Sequence, residues 1–272
     1  MECTQHLLAC AQSQPLRNTV QYSDSTNQNI LNSLLNEKIK FLKSKAIDCD
    51  GSTIQITNLG MFGFSTPKQL SDYEKSILRT ECEYLKIANE VLINNLMIDK
   101  INNILIARQA ETFHQTDDNL KYRIYEILEI EIKKIKSNKY VFIGGEMYVY
   151  GMIFKHLYKS AYFMSDYSSV VEDTILNLSN KETVDFVNYS SYSCPSNKLE
   201  YFSKGIIICN TGKNGLDHNM CTMLNLSDAM NIIIISCNEK SLTRDLRLLK
   251  YRVYNKYSLM TNYKITIVFL SI

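Results

Sequence analysis

Apolar residues fall into short, dense runs in the second half of the chain and into longer, spaced patterns in the first. The runs Tyr140–Ile143, Ala161–Met164, Val184–Val187, Gly205–Cys209 and Asn231–Ile235 are too short for helices. Their near-continuous apolar character reads as parallel strands buried on both faces. Leu216–Met230 lies between two of them and is long enough for a crossover helix, which makes the unit β-α-β. Two further strands, Tyr251–Tyr257 and Tyr263–Ser271, have only a short connection between them and must run antiparallel. A helix over Tyr122–Lys136 precedes the first strand.

The front half reads differently. Asn29–Lys45 sets Ile30, Leu34, Leu35, Ile39 and Leu42 on one helical face with lysines opposite. Gly51–Thr66 carries short β-type runs broken by Gly60 and Gly63, which predicts a hairpin. After Pro67 the spacing of Tyr73, Ile77, Leu78, Leu85, Ala88 and Leu92 predicts one long helix from about Ser71 to Asn95. Ile101–Arg108 reads as a strand. Residues 1–28 are polar and aperiodic, with too little apolar surface to order themselves. They are either a disordered tail or an extended arm laid on a partner. The expected division is an arm over 1–28, a small mixed helix and strand region over 29–110, and an α/β domain over 111–272.

Composition narrows the function classes. Thirty Lys and Arg against 28 Asp and Glu leave a formal charge of +2, so overall charge does not announce a nucleic-acid binder. The basic residues are nonetheless bunched: Lys38, Lys40, Lys43 and Lys45; Lys133, Lys134, Lys136 and Lys139; Arg244, Arg247, Lys250, Arg252 and Lys256. Each bunch is either a solvated helix face or a contact for phosphates. Eight cysteines show no C-x-x-C pair, and His6, His114, His156 and His218 lack metal-ligand spacing, so no metal site is expected. Free thiols, the lack of a signal-peptide pattern and the lack of a bilayer-length apolar run together predict a soluble cytoplasmic protein with no membrane partner.

Polar residues follow the fourth and fifth strands: Asn210-Thr211-Gly212-Lys213 and Ser236-Cys237-Asn238. In open α/β sheets ligands bind beyond these carboxyl ends, so Cys237 stands where chemistry would be done. Three segments carry a resemblance. Ile235-Ser236-Cys237-Asn238-Glu239-Lys240-Ser241-Leu242-Thr243-Arg244-Asp245-Leu246 resembles the V-S-C-N-P-x-T-L-x-R-D-L stretch of the S-adenosylmethionine-dependent RNA (uracil-C5) methyltransferases. Asn210–Asp217 is similar to that family's D-P-P-R-x-G-L-D loop, and Phe113-His114-Gln115-Thr116-Asp117 to its F-x-Q-V-N segment. The order and spacing fit from about residue 105 onward. The resemblance implies an α/β fold with a seven-stranded, Rossmann-type methyltransferase sheet, to which the five crossover strands and terminal hairpin conform.

It also implies a chemistry. Cys237 matches the nucleophile that adds to C6 of uracil; a base must later take the C5 proton so that the thiolate can leave. In the family the base is a glutamate in a near-terminal F-P-x-T-x-H-x-E segment. Anchored on Thr261, its position is Ile265, and the histidine becomes Tyr263. The family's first strand ends in D-x-x-C-G-x-G; here the acid is Ile143, and Met147, Tyr148 and Val149 stand where small residues belong. The resemblance leaves Gln115, Gly144, Gly145, Asp166 and Asn210 as candidate cofactor contacts, and Arg17, Lys38, Lys40, Lys43, Lys45, Lys213, Arg244 and Arg247 as candidate RNA contacts. Scaffold residues survive while residues needed for turnover are gone.

Two readings follow. One is a non-catalytic protein bound to ribosomal RNA or tRNA, with no cofactor, associated with the ribosome and blocking a functional site with its arm. The other is an active RNA uridine C5-methyltransferase that uses Cys237 and S-adenosylmethionine.

Overall fold

The computed structural model describes residues 25–88, 90–101, 103–112, 118–178, 184–188, 202–260 and 264–272. The arm over 1–28 falls outside them except for its last four residues, which already belong to the first helix. The chain forms two compact units, the first running to Thr112 and the second carrying Leu120–Ile272.

The first unit opens with α1 (Ser25–Ser44), followed by β1 (Thr53–Ile56), β2 (Phe62–Thr66), α2 (Asp72–Glu81), β3 (Tyr84–Ile87) and β4 (Glu90–Asn94). The strands form one sheet in the order β1-β2-β3-β4, with β2 and β3 parallel and the outer pairs antiparallel. Ile39, Leu42, Phe62, Phe64, Leu78 and Leu85 build its core. A separate hairpin, β5 (Met97–Ile101) and β6 (Ile104–Arg108), encloses Arg108, only 1% exposed, whose Nε lies 3.0 Å from Asp99 Oδ2.

The single helix expected over Ser71–Asn95 is wrong in its second half. Its start is correct: the Ser71 hydroxyl accepts from Glu74 N–H at 3.3 Å, and Glu74 Oε2 accepts from Ser71 N–H at 2.7 Å, a capping box. The Ser71 hydroxyl, 2.6 Å from Glu74 Oε2, and then the Ser71 N–H hold the Glu74 carboxyl below its usual range. The helix stops at Glu81, Cys82 is extended, and the chain returns as β3 and β4. Leu85, Ala88 and Leu92 happen to keep helical spacing. Pairing of Tyr84–Ile87 with Gly63–Thr66 satisfies the backbone instead, and sheet context overrides the local pattern. Likewise the expected strand Ile101–Arg108 divides into the end of β5, a turn at Asn103 with φ +65°, and β6.

The second unit runs α3 (Asp118–Ile132), β7 (Lys139–Gly144), α4 (Met147–Ile153), β8 (Ser160–Ser165), α5 (Ser168–Leu178), β9 (Val184–Asn188), β10 (Ile206–Thr211), α6 (His218–Leu226), β11 (Asn231–Ser236), α7 (Glu239–Leu248), β12 (Arg252–Met260) and β13 (Lys264–Ser271). Seven strands make one sheet in the order β9-β8-β7-β10-β11-β13-β12. Five are parallel, and β13 is inserted antiparallel between β11 and β12. All seven expected strands are present. The helix expected over Leu216–Met230 is shorter, because Asp217 caps its start and Ser227 is already extended. The sheet order reverses between β7 and β10, the switch point at which an open α/β sheet offers a crevice.

Candidate functional site

Cys237 follows β11 directly. It is exposed, unlike Cys49, Cys82, Cys209 and Cys221, the other described cysteines. Burial pushes the thiol of Cys82 up to about 12 and that of Cys221 to about 11, so neither supplies a thiolate near neutral pH.

The residues around Cys237 are tied together by hydrogen bonds. Asn238 caps α7, with Oδ1 accepting from Lys240 N–H at 3.0 Å, while its Nδ2 donates to the Lys213 carbonyl at 2.8 Å. The Ser241 hydroxyl donates to the same carbonyl region, at 3.2 Å from Lys213 O. Buried Asp245 accepts from Leu216 N–H at 2.7 Å through Oδ2 and from Arg244 Nε at 2.9 Å through Oδ1. Arg244 also donates to the carbonyls of Asn214 and Leu216, both at 2.8 Å. Gly215 has φ +73°, and a Cβ there would collide with Asp245 Oδ2. The residues that carry the family resemblance therefore form a clamp that fixes the loop after β10 to the start of α7.

Among the described residues, the position that the resemblance matches to the family's base is apolar. Ser236, the last residue of β11, pairs with Thr266 of β13, and Ile265, only 5% exposed, is the residue before Thr266. One carboxylate is close along the chain, and the sequence reading overlooked it: Glu239, in the first turn of α7. Its Oε2 lies 2.6 Å from Lys264 Nζ and its Oε1 3.7 Å from Lys256 Nζ. The hydrogen bond and charge of Lys264 hold it below the ordinary glutamate range. A carboxylate so stabilised is a weak proton acceptor.

The end of β7 is filled. Gly144 has φ +94°, and a Cβ there would collide with the Asn210 carbonyl, which also accepts from Gly145 N–H at 3.3 Å. Glu146 adopts a left-handed conformation, φ +56°, and α4 begins at the next residue. Met147, Tyr148, Val149, Tyr150 and Ile153 are all buried. Asn210 Nδ2 donates to Glu146 Oε2 at 3.3 Å and to the Tyr150 hydroxyl at 3.4 Å. Burial, and secondarily the charge of Glu146, lifts the Tyr150 phenol well above its normal range. Bulky buried side chains thus stand where the resembled motif has small residues, and the position of its acid is buried Ile143. These residues do not fit S-adenosylmethionine. Asp166 is half-buried after β8, and Gln115 lies outside the described residues.

No protein-family model matches the chain, and no curated protein matches it. Solved structures do. The tRNA (uracil-54, C5)-methyltransferase of Pyrococcus abyssi, in complex with S-adenosyl-L-homocysteine, aligns over 87% of this chain with a TM-score of 0.62 and 14% identity. This chain spans 66% of the length of that protein. The methyltransferase domain of a bacterial Hen1 aligns over 57% of this chain and 100% of its own, with a TM-score of 0.45 and 11% identity. The chain has a methyltransferase fold.

The candidate RNA contacts fall in both units. In the first unit, Lys40, Lys43 and Lys45 are exposed on α1 and its end, while Lys38 is held 3.3 Å from Glu81 and lies over the rings of Phe41 and Phe62. In the second, Lys213 and Arg247 are exposed, and Arg244 is engaged in the clamp. Arg17 falls outside the described residues. Among the described residues no group of His, Cys, Asp and Glu could hold a metal, and no helix is long and apolar enough to cross a membrane.

Proposed function

We propose that this chain is a non-catalytic RNA-binding protein built on a methyltransferase fold, with tRNA or ribosomal RNA as its partner. The observation that carries this reading is the packed end of β7. There Met147, Tyr148 and Tyr150 are at most 1% exposed, and Glu146, Asn210 and Tyr150 are bonded to one another. A cofactor-dependent reaction requires open space and unspent polar groups at that point. The base position, Ile265, supports the same reading. RNA as the partner is supported by the likeness to a tRNA methyltransferase and by the bunched lysines.

Exposed Cys237 at the carboxyl end of β11 favours the second reading, a divergent uridine C5-methyltransferase. The two separate cleanly. Cys237→Ala alters an exposed side chain, so its stability should stay within about 0.5 kcal/mol of the parent. Mass spectrometry of total tRNA and ribosomal RNA from cells carrying only the variant should show unchanged 5-methyluridine. Disappearance of that nucleoside from a defined position would establish the enzyme instead.

A further inference from the structure

At the amino ends of the strands, opposite Cys237, the second unit holds a hollow of about 570 Å³. It is lined by the basic residues Lys136, Lys139 and Lys204 and by the apolar residues Ile135 and Met230. The lysine bunch that contributes Lys136 and Lys139 is split in its use. Lys133 lies 2.7 Å from Glu129, and Lys134 lies 2.7 Å from Glu131. Lys136, Lys139 and Lys204 are exposed and have no ion-pair partner among the described residues.

The lining segments are fixed by backbone bonds. The Ser137 hydroxyl sits 3.1 Å from the Lys204 carbonyl and 3.2 Å from that of Lys139, joining the two basic segments. The Asn138 carbonyl accepts from Lys159 N–H at 2.8 Å and Ser160 N–H at 3.2 Å. Lys204 is held at φ +57°, its N–H donating to the Asp228 carbonyl at 2.8 Å. Asp228 makes that contact through its backbone, and no ion pair joins its side chain to Lys204. These bonds hold together the segments that bring Lys136, Lys139 and Lys204 to one concavity also lined by apolar side chains. Phosphates match the ammonium groups, and the apolar side chains suit an unstacked base or ribose.

We propose that this hollow binds the backbone of single-stranded RNA. The inference rests on the RNA-binding reading but adds a location that the family resemblance does not point to. Met230 lines the hollow and β11 spans Asn231–Ser236, so the hollow and Cys237 are about 23 Å apart along the strand at ~3.3 Å per residue. RNA held there is bound without being presented to the thiol.

The test is fluorescence anisotropy with a fluorescein-labelled oligouridylate of about 12 nucleotides. The parent protein is compared with the Lys136→Glu/Lys139→Glu/Lys204→Glu triple variant and with the milder Lys→Gln triple, across about 50–200 mM salt. Expected results are a loss of affinity of roughly tenfold or more for the glutamate variant and a smaller loss for the glutamine variant. The salt dependence should flatten by about 0.7 for each phosphate contact removed, at an unchanged melting temperature. RNA binding that neither triple weakens overturns the hollow and leaves the RNA-binding reading standing. No binding by the parent overturns both. Poly-L-glutamate displacing the RNA as effectively as unlabelled oligouridylate overturns the assignment to RNA.

Discussion

Arg108→Ala is expected to destabilise the first unit by about 3–5 kcal/mol, because it leaves the Asp99 carboxylate buried without its counter-charge. Arg108 is 1% exposed and Asp99 7%. Beyond the 3.0 Å contact to Asp99, the guanidinium reaches the Gln109 carbonyl at 3.4 Å and Gln55 Oε1 at 3.5 Å. The single substitution therefore strands an acid and two acceptors at once. Urea unfolding followed by amide exchange over residues 97–108 would report the loss where it arises. A paired replacement, Asp99→Leu with Arg108→Met, should recover most of the stability, since both desolvated charges are then gone. If Arg108→Ala costs less than about 1 kcal/mol, the pair is solvated rather than buried and the account of this hairpin is wrong.

Asp245→Ala is the second large effect, expected to cost about 3 kcal/mol in the second unit. The carboxylate accepts from Leu216 N–H and from Arg244, so its removal leaves a buried backbone donor unsatisfied and frees the guanidinium. The local consequence is more telling than the magnitude. Exchange of the Leu216 amide should accelerate, and the loop after β10 should become susceptible to proteolysis, while the strands keep their protection. Asp245→Asn retains an acceptor and should fall between parent and alanine. Equal stability of all three proteins would mean that Arg244 and Asp245 do not form the clamp described above.

The sheet was legible from the sequence because its strands are dense apolar runs with clear polar punctuation. Asn231–Ile235 and Gly205–Cys209 admit no other reading once their length and β-branched content are considered. The segment after Glu81 was not legible, because Leu85, Ala88 and Leu92 repeat at helical spacing even though Tyr84–Ile87 completes a sheet. The decision there belongs to β2, a non-local partner. Motif reading located Cys237 at the carboxyl end of β11 but not the role of the residues around it. That Arg244, Asp245 and Gly215 serve one another became visible only with their hydrogen bonds in place. Glu239 and Glu146 escaped notice for a related reason. Each lies where the resembled family has no carboxylate, and only geometry shows Glu239 held by two lysines and Glu146 bonded to Asn210.

The central claim is that the crevice at the end of β7 no longer admits the methyl donor. Titration calorimetry of S-adenosylmethionine into the full-length protein tests it most directly. The account predicts no saturable binding below about 1 mM, an affinity weaker than ~4 kcal/mol. One-to-one binding with a Kd of about 1 μM, near 8 kcal/mol, would contradict it.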